Sequence, residues 1–163
     1  IDELIKRGIA DPGNLFITGG SAGGIATAYA IGLTNRFNAA VVAKPVINWI
    51  SKVLTADSYI YQIPYQFPGM PWDEYEHYWK RSPLSLVGNV TTPTMLITGE
   101  DDQRTPISET EQFYQALKLQ KVDSVMIRVP GASHGIAGKP SRLNAKVDNI
   151  LAWFRQYHNN DDE

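Results

Sequence analysis

The sequence predicts an α/β fold with a mostly parallel sheet, and three observations carry that prediction. Four short apolar runs, at residues 14–18, 39–43, 94–98 and 124–129, are separated by helical periodicity or by one long irregular excursion. The first two runs are apolar on successive positions, as in strands covered on both faces. The 163 residues are 43% hydrophobic and 20% charged, ordinary globular composition for about one domain.

Residues 2–8 read as the last turns of a helix closed by Gly8. No initiator Met, basic leader or apolar signal core precedes them, so the chain is expected to be a piece of a longer protein. Residues 14–18 form a buried strand, 19–24 a glycine-rich corner, and 25–33 an alanine-rich helix that stops near Thr34-Asn35. Residues 39–43 are the second strand, broken off by Pro45.

From 46 to 81 the periodicity fails, and Trp49, Tyr59, Tyr61, Tyr65, Phe67, Trp72, Tyr75, Tyr78 and Trp79 crowd the segment. It is too apolar for a disordered linker. A folded excursion of short helices is expected, either lining a pocket or packing a satellite core. Residues 82–87 form a helical turn with Pro83 near its start.

Alternation then returns. Residues 94–98 are the third strand, ending at Gly99. Ser108-Glu109-Thr110-Glu111 reads as a capping box opening a helix that presents Phe113, Tyr114 and Leu117. Residues 124–129 are the fourth strand. Leu143, Val147, Ile150, Leu151 and Phe154 place a final amphipathic helix over about 141–157.

Fifteen basic and seventeen acidic residues give a net charge of −2, with no like-charge run longer than Asp161-Asp162-Glu163. That balance offers no electrostatic footprint for nucleic acid or an anionic membrane, and no apolar run approaches the ~18 residues that span a bilayer. The absence of cysteine excludes a disulfide framework, a thiolate metal site and a cysteine nucleophile, without assigning a compartment. No metal constellation, P-loop or dinucleotide fingerprint occurs, and no cofactor is expected. Asn89-Val90-Thr91 is formally a glycosylation sequon, read as chance.

Gly19-Gly20-Ser21-Ala22-Gly23 matches G-x-S-x-G between an apolar strand and a helix, the context of a nucleophile elbow. Such a turn exposes the Ser21 hydroxyl above the sheet and places the Ala22 backbone N–H as an oxyanion donor. The alternative is a plain glycine-rich corner. A serine needs a base, and the base an orienting acid. Of the three histidines, His77 lies in the aromatic excursion and His158 in the polar tail. His134, in Gly131-Ala132-Ser133-His134-Gly135, follows the fourth strand at the sheet end where open α/β folds build sites. Glu100, Asp101 and Asp102 follow the third strand, and two of these three carboxylates are expected to be solvated. The order Ser21, an acid near 101–102, then His134 is that of α/β-hydrolases.

Four segments resemble the catalytic domain of the prolyl oligopeptidase family of serine peptidases, in its acylaminoacyl-peptidase and dipeptidyl-peptidase-like branch. They are Gly19-Gly20-Ser21-Ala22-Gly23-Gly24, Lys44-Pro45-Val46-Ile47-Asn48-Trp49, Gly99-Glu100-Asp101-Asp102-Gln103-Arg104-Thr105-Pro106 and Pro130-Gly131-Ala132-Ser133-His134-Gly135. Arg81-Ser82-Pro83-Leu84 resembles the stretch before that family's acid-bearing strand. The resemblance implies that Asp102, in a D-x-R pattern with Arg104, is the acid. It implies that Arg104 holds a substrate backbone carbonyl, the alternative being an ion pair to Glu100 or Glu109. Trp49 is expected to line the pocket for the residue before the cut bond.

The same resemblance makes residues 1–163 the C-terminal half of an α/β-hydrolase catalytic domain, about four parallel strands of an eight-stranded sheet with flanking helices. The first half, which would carry the second oxyanion donor, and an N-terminal propeller are then missing. The strand at 14–18 becomes a bare apolar edge, an aggregation hazard unless the missing half or a second copy of the chain covers it. The isolated chain is expected to lack full activity although it holds Ser21, Asp102 and His134. The partner expected at the site is a peptide substrate. Two other functions stay open: a carboxylesterase or lipase-like hydrolase, and an inactive assembly fragment with inherited site residues.

Overall fold

The computed structural model describes residues 1–159; the acidic run at 161–163 lies outside them. The elements, in order, are α1 (Asp2–Lys6), β1 (Phe16–Gly20), α2 (Ala22–Leu33), β2 (Ala39–Ala43), α3 (Trp49–Thr55), α4 (Tyr59–Gln66), α5 (Tyr75–Lys80), a 3-10 helix (Pro83–Asn89), β3 (Thr94–Gly99), α6 (Ile107–Leu119), β4 (Ser124–Val129) and α7 (Pro140–Gln156). The strands form one parallel sheet in the order β1-β2-β3-β4.

Apolar side chains on both faces of the sheet explain its layers. Ala40, Val42 and Leu96 pack with Ala28 and Ile31 of α2 and Phe113 and Leu117 of α6. On the opposite face Val41, Met95 and Ile97 pack with Trp153 of α7 and Ile136. β2 and β3 are buried along their whole length, as unbroken apolar runs require. β1 and β4 are the two edges of this sheet, and β1 is hydrogen-bonded to β2 alone among the described strands.

The excursion folds as α3, α4 and α5 around a separate small core of Val53, Phe67 and Tyr78, with Trp49 packed against it. Phe67 stacks on Tyr78 at 3.9 Å between ring centroids, and Trp49 meets Phe67 edge-on at 5.3 Å. The segment is divided between the two expectations: Phe67 and Tyr78 pack this satellite core, while Trp49 also lines a cavity described below. Many of its other aromatic residues, among them Tyr61, Tyr65 and Trp72, stay exposed.

Three expectations shift. β1 runs over Phe16–Gly20 rather than 14–18, because pairing with β2 continues to Gly20 opposite Ala43, while Leu15 donates its N–H to the Asn38 side chain instead. α2 starts at Ala22, directly after the turn, rather than at 25. No capping box forms: Pro106 is the N-cap and Ser108 lies inside α6. Glu109 turns into the core instead, and Glu111 pairs with Arg128 at 2.6 Å. In α7 the buried stripe is set by Trp153, with Ile150, Phe154 and Tyr157 beside it; Leu143, Val147 and Leu151 form a second stripe that stays exposed. His158, exposed as expected, stacks on Phe16 with ring centroids 6.3 Å apart.

Candidate active site

The carboxyl ends of β1, β3 and β4 converge on one point. The Ser21 N–H extends the β1–β2 ladder by donating to the Ala43 carbonyl at 3.0 Å. The chain then turns sharply into α2 with Ser21 at φ 60°, ψ −119°, a conformation that costs a non-glycine residue of order 1–3 kcal/mol. A Cβ on Gly19 would lie 2.2 Å from the Gly23 carbonyl oxygen, and one on Gly24 2.6 Å from that of Ala43, so the close strand–helix approach requires both glycines. Ser21 is the N-cap of α2, where a serine oxygen usually accepts a bond from the first turn. Here the hydroxyl makes no capping bond and stands 3.0 Å from His134 Nε2. The Ala22 N–H, first in α2, belongs to the turn whose donors have no intrahelical partner.

His134 sits in the loop after β4, and its Nδ1 lies 2.8 Å from Asp102 Oδ2. Asp102 is 2% exposed. Its Oδ1 accepts the backbone N–H groups of Arg104 and Thr105, each at 2.9 Å, and the Thr105 hydroxyl reaches Oδ2 at 3.1 Å. A carboxylate offers only acceptors, so this network assigns the proton to Nδ1 and leaves the Nε2 lone pair facing the Ser21 hydroxyl. That chain of bonds can take a proton from the serine as it attacks an electrophile.

Lys44 braces the histidine loop: its Nζ donates to the His134 backbone carbonyl at 2.6 Å, from a residue held at φ 41°. Burial, reinforced by Lys146, lowers the Lys44 pKa, and Asp102 pulls it back up.

A cavity of about 190 Å³ opens beside Ser21 and Ala22, with Ile25, Val46 and Trp49 as apolar wall and Lys52, Gln62 and Arg104 among its polar groups. The expected site residues Ser21, Ala22, Asp102, Arg104, His134 and Trp49 are thus gathered in one place. The alternative offered for Arg104, an ion pair to Glu100 or Glu109, is corrected: its guanidinium pairs with Asp57 at 2.7 Å, while Glu100 pairs with Arg128 at 3.0 Å and Glu109 is buried. The Asp57 carboxylate raises the Arg104 pKa, and Arg104 lowers that of Asp57. As expected, two acids of the 100–102 loop, Glu100 and Asp101, are exposed.

Sequence reasoning missed Lys52 and Glu109. Lys52 lies three residues after Trp49 on α3, a spacing that puts both on one helix face. Glu109 carried no such signal. Among the described residues no group of three or more His, Asp or Glu side chains is placed to hold a metal ion, and no helix is long and apolar enough to cross a membrane.

The chain matches the Prolyl oligopeptidase family over residues 1–161. It is 38% identical to the uncharacterized peptidase YuxL of Bacillus subtilis, over 96% of this chain and 24% of that protein. It is 32% identical to the acylamino-acid-releasing enzyme of Arabidopsis thaliana, over 96% of this chain and 22% of that protein. The acylaminoacyl peptidase of Pyrococcus horikoshii superposes with a TM-score of 0.88 at 26% identity, over 99% of this chain and 27% of that one. The chain therefore spans about a quarter of the length of these relatives. A family match over nearly every residue, on a parallel sheet of the α/β-hydrolase type, means that the chain belongs to the prolyl oligopeptidase family.

Proposed function

We propose that this chain is the C-terminal portion of the catalytic domain of a serine peptidase that cleaves short peptides by acyl transfer, releasing an N-acylated amino acid. The hydrogen-bonded sequence Ser21–His134–Asp102 at three converging strand ends is the observation that carries the proposal. The names of the Arabidopsis and Pyrococcus relatives support the acylaminoacyl preference.

Ser21 Oγ attacks the carbonyl carbon of the scissile bond while His134 Nε2 takes its proton. The oxyanion is held by the Ala22 N–H at the start of α2. His134 then gives the proton to the departing amine, the C–N bond breaks, and an acyl-serine remains. Water, deprotonated by the same imidazole, releases the acid product and restores the hydroxyl. Asp102 keeps Nδ1 protonated and offsets the charge that forms on the ring. Arg104 lies in the cavity wall, where it can meet a substrate backbone carbonyl, and Trp49 flanks the residue before the cut. The exposed stripe Leu143, Val147, Leu151 and the edge position of β1 support further polypeptide completing the domain, either the remainder of the same protein or a second copy.

The test compares an acetyl-aminoacyl anilide with the matching alkyl ester on the complete peptidase. The expected result is cleavage of both, abolished in Ser21→Ala, with free acetylated amino acid as product. Ester cleavage alone would make the protein a carboxylesterase. Cleavage of neither would make the chain an inactive assembly fragment.

A further inference from the structure

We propose that the cavity beside Ser21 selects an acidic side chain, so that the bond cleaved follows Asp or Glu, with Lys52 as the residue that recognises the carboxylate. The inference rests on the reading of Ser21 as nucleophile and names the substrate of that site.

Lys52 is 1% exposed, yet it lines a cavity that also contains Ser21. Its ammonium donates to the Ser58 hydroxyl at 2.7 Å and to the Gln62 side-chain carbonyl, both neutral acceptors. An ammonium has three donors, which leaves one for a ligand. Among the described residues no carboxylate pairs with it. Asp57, whose field reaches Lys52 from the turn after α3, is paired with Arg104. Glu109, reaching it from α6, is bonded to Ile47, Asn48 and Ser51. Arg104 lines the same cavity from the loop after β3, its charge offset by Asp57.

A buried cation without a counter-ion is destabilising, and an apolar residue of the same length would serve packing better. Ser58 and Gln62, the N-cap and a residue of α4, lie 3.3 Å apart and can bond one another, so neither depends on the ammonium for a partner. Burial, with Arg104 nearby, brings the Lys52 pKa down to about 8, so the ammonium persists at neutral pH. The rest of the cavity suits the methylenes of an acidic side chain, with Ile25, Val46 and the Trp49 ring as walls. Lys52 Nζ lies 5.9 Å from the centre of that ring. At about 190 Å³ the space fits one side chain rather than a whole ligand, for which ~300–1,000 Å³ is usual.

The experiment measures kcat/KM of the complete peptidase on acetyl-Glu, acetyl-Gln and acetyl-Leu 4-nitroanilides, with succinyl-Leu 4-nitroanilide carrying its carboxylate on the acyl group instead. At pH 6.5 the Glu substrate is expected to exceed its neutral isostere Gln by about tenfold or more, the effect of one charge-assisted hydrogen bond. kcat/KM reports the free enzyme, so this ratio should fall as the pH rises through about 8. The pH readout needs no mutation. In Lys52→Met the ratio should drop to one or below at every pH, and because it is taken within one protein, a general loss of activity cancels. Succinyl-Leu should gain nothing over acetyl-Leu. The inference is overturned by a wild-type Glu/Gln ratio of one or less, by a ratio indifferent to Lys52→Met, by a gain confined to succinyl-Leu, or by failure to cleave the Glu substrate while a fluorophosphonate still adds to Ser21. Those four results leave Ser21 as nucleophile; absence of fluorophosphonate addition overturns both.

Discussion

Glu109 Oε2 accepts the backbone N–H of Asn48 at 2.8 Å, from a side chain with no exposed surface. The same oxygen accepts the Ile47 N–H at 2.9 Å, while Oε1 takes the Ser51 hydroxyl. One buried carboxylate on α6 therefore fixes the start of the segment that carries Trp49 and Lys52 to the cavity.

Removing it should be felt in both stability and binding. Glu109→Ala leaves two buried N–H groups without their acceptor, a loss of about 1–3 kcal/mol each. A drop in Tm of several degrees is expected, since ~1 kcal/mol moves a domain of this size by about 2–4 °C. KM should rise as the cavity wall loosens. Burial raises the Glu109 pKa above its ordinary 4.5, so the native chain holds a proton over a range where the unfolded chain has lost it. Stability from this group is thus full below the ordinary value and falls as pH rises through that range. Glu109→Gln, which keeps the acceptor, should flatten the fall; a thermal melt series across pH checks it.

Asp102→Asn isolates the orienting role. Its remaining oxygen can still hold the Arg104 and Thr105 N–H groups, but an amide NH₂ facing Nδ1 forces that nitrogen to accept. Nε2 then carries the proton and can no longer receive one from Ser21. kcat should fall by about 10⁴ with little change in KM or Tm, measured on an acetyl-aminoacyl anilide.

Lys44 is expected to act through His134. Lys44→Met keeps the stem and loses the bond to the His134 carbonyl. At about 1.5–3 kcal/mol for a bond from a charged donor, kcat should drop by roughly ten- to a hundredfold while KM stays constant. Lys44→Arg should recover part of the loss. A matching loss in KM, or no rescue, would assign Lys44 to packing alone.

Lys52 should cost stability. With its pKa down from 10.5 to about 8, the unfolded chain binds more protons between those values. Stability then rises with pH across that window, and the full burden is carried below about 8. Lys52→Met should stabilise the protein at pH 7 by about 1–3 kcal/mol and remove the rise, read from denaturant midpoints at pH 7, 9 and 10.5.

Much of this was legible because covalent and steric rules act locally. Unbroken apolar runs marked the strands, and the glycines at 19, 20, 23 and 24 around Ser21 marked the turn, where Gly19 and Gly24 stand too close to backbone carbonyls to carry a Cβ. The resemblance to the family's D-x-R pattern pointed to Asp102 among three neighbouring carboxylates, and Asp102 is the one that accepts two loop N–H groups. What stayed hidden depends on distant partners. Ser108-Glu109-Thr110-Glu111 looked like a cap because the pattern is local, whereas Glu109 answers to N–H groups about sixty residues away in sequence. Nothing in the aperiodic stretch marks Lys52 as buried; its burial depends on Ser58 and Gln62 of the following helix packing over it.

The most direct test is intact mass of the complete peptidase before and after a fluorophosphonate probe. The expected result is one phosphonyl group on Ser21, absent in Ser21→Ala and lost or slowed by orders of magnitude in His134→Ala, because only a hydroxyl facing a proton-accepting imidazole reacts. An unlabelled Ser21 in folded protein, or labelling indifferent to His134→Ala, would contradict the assignment of nucleophile and base.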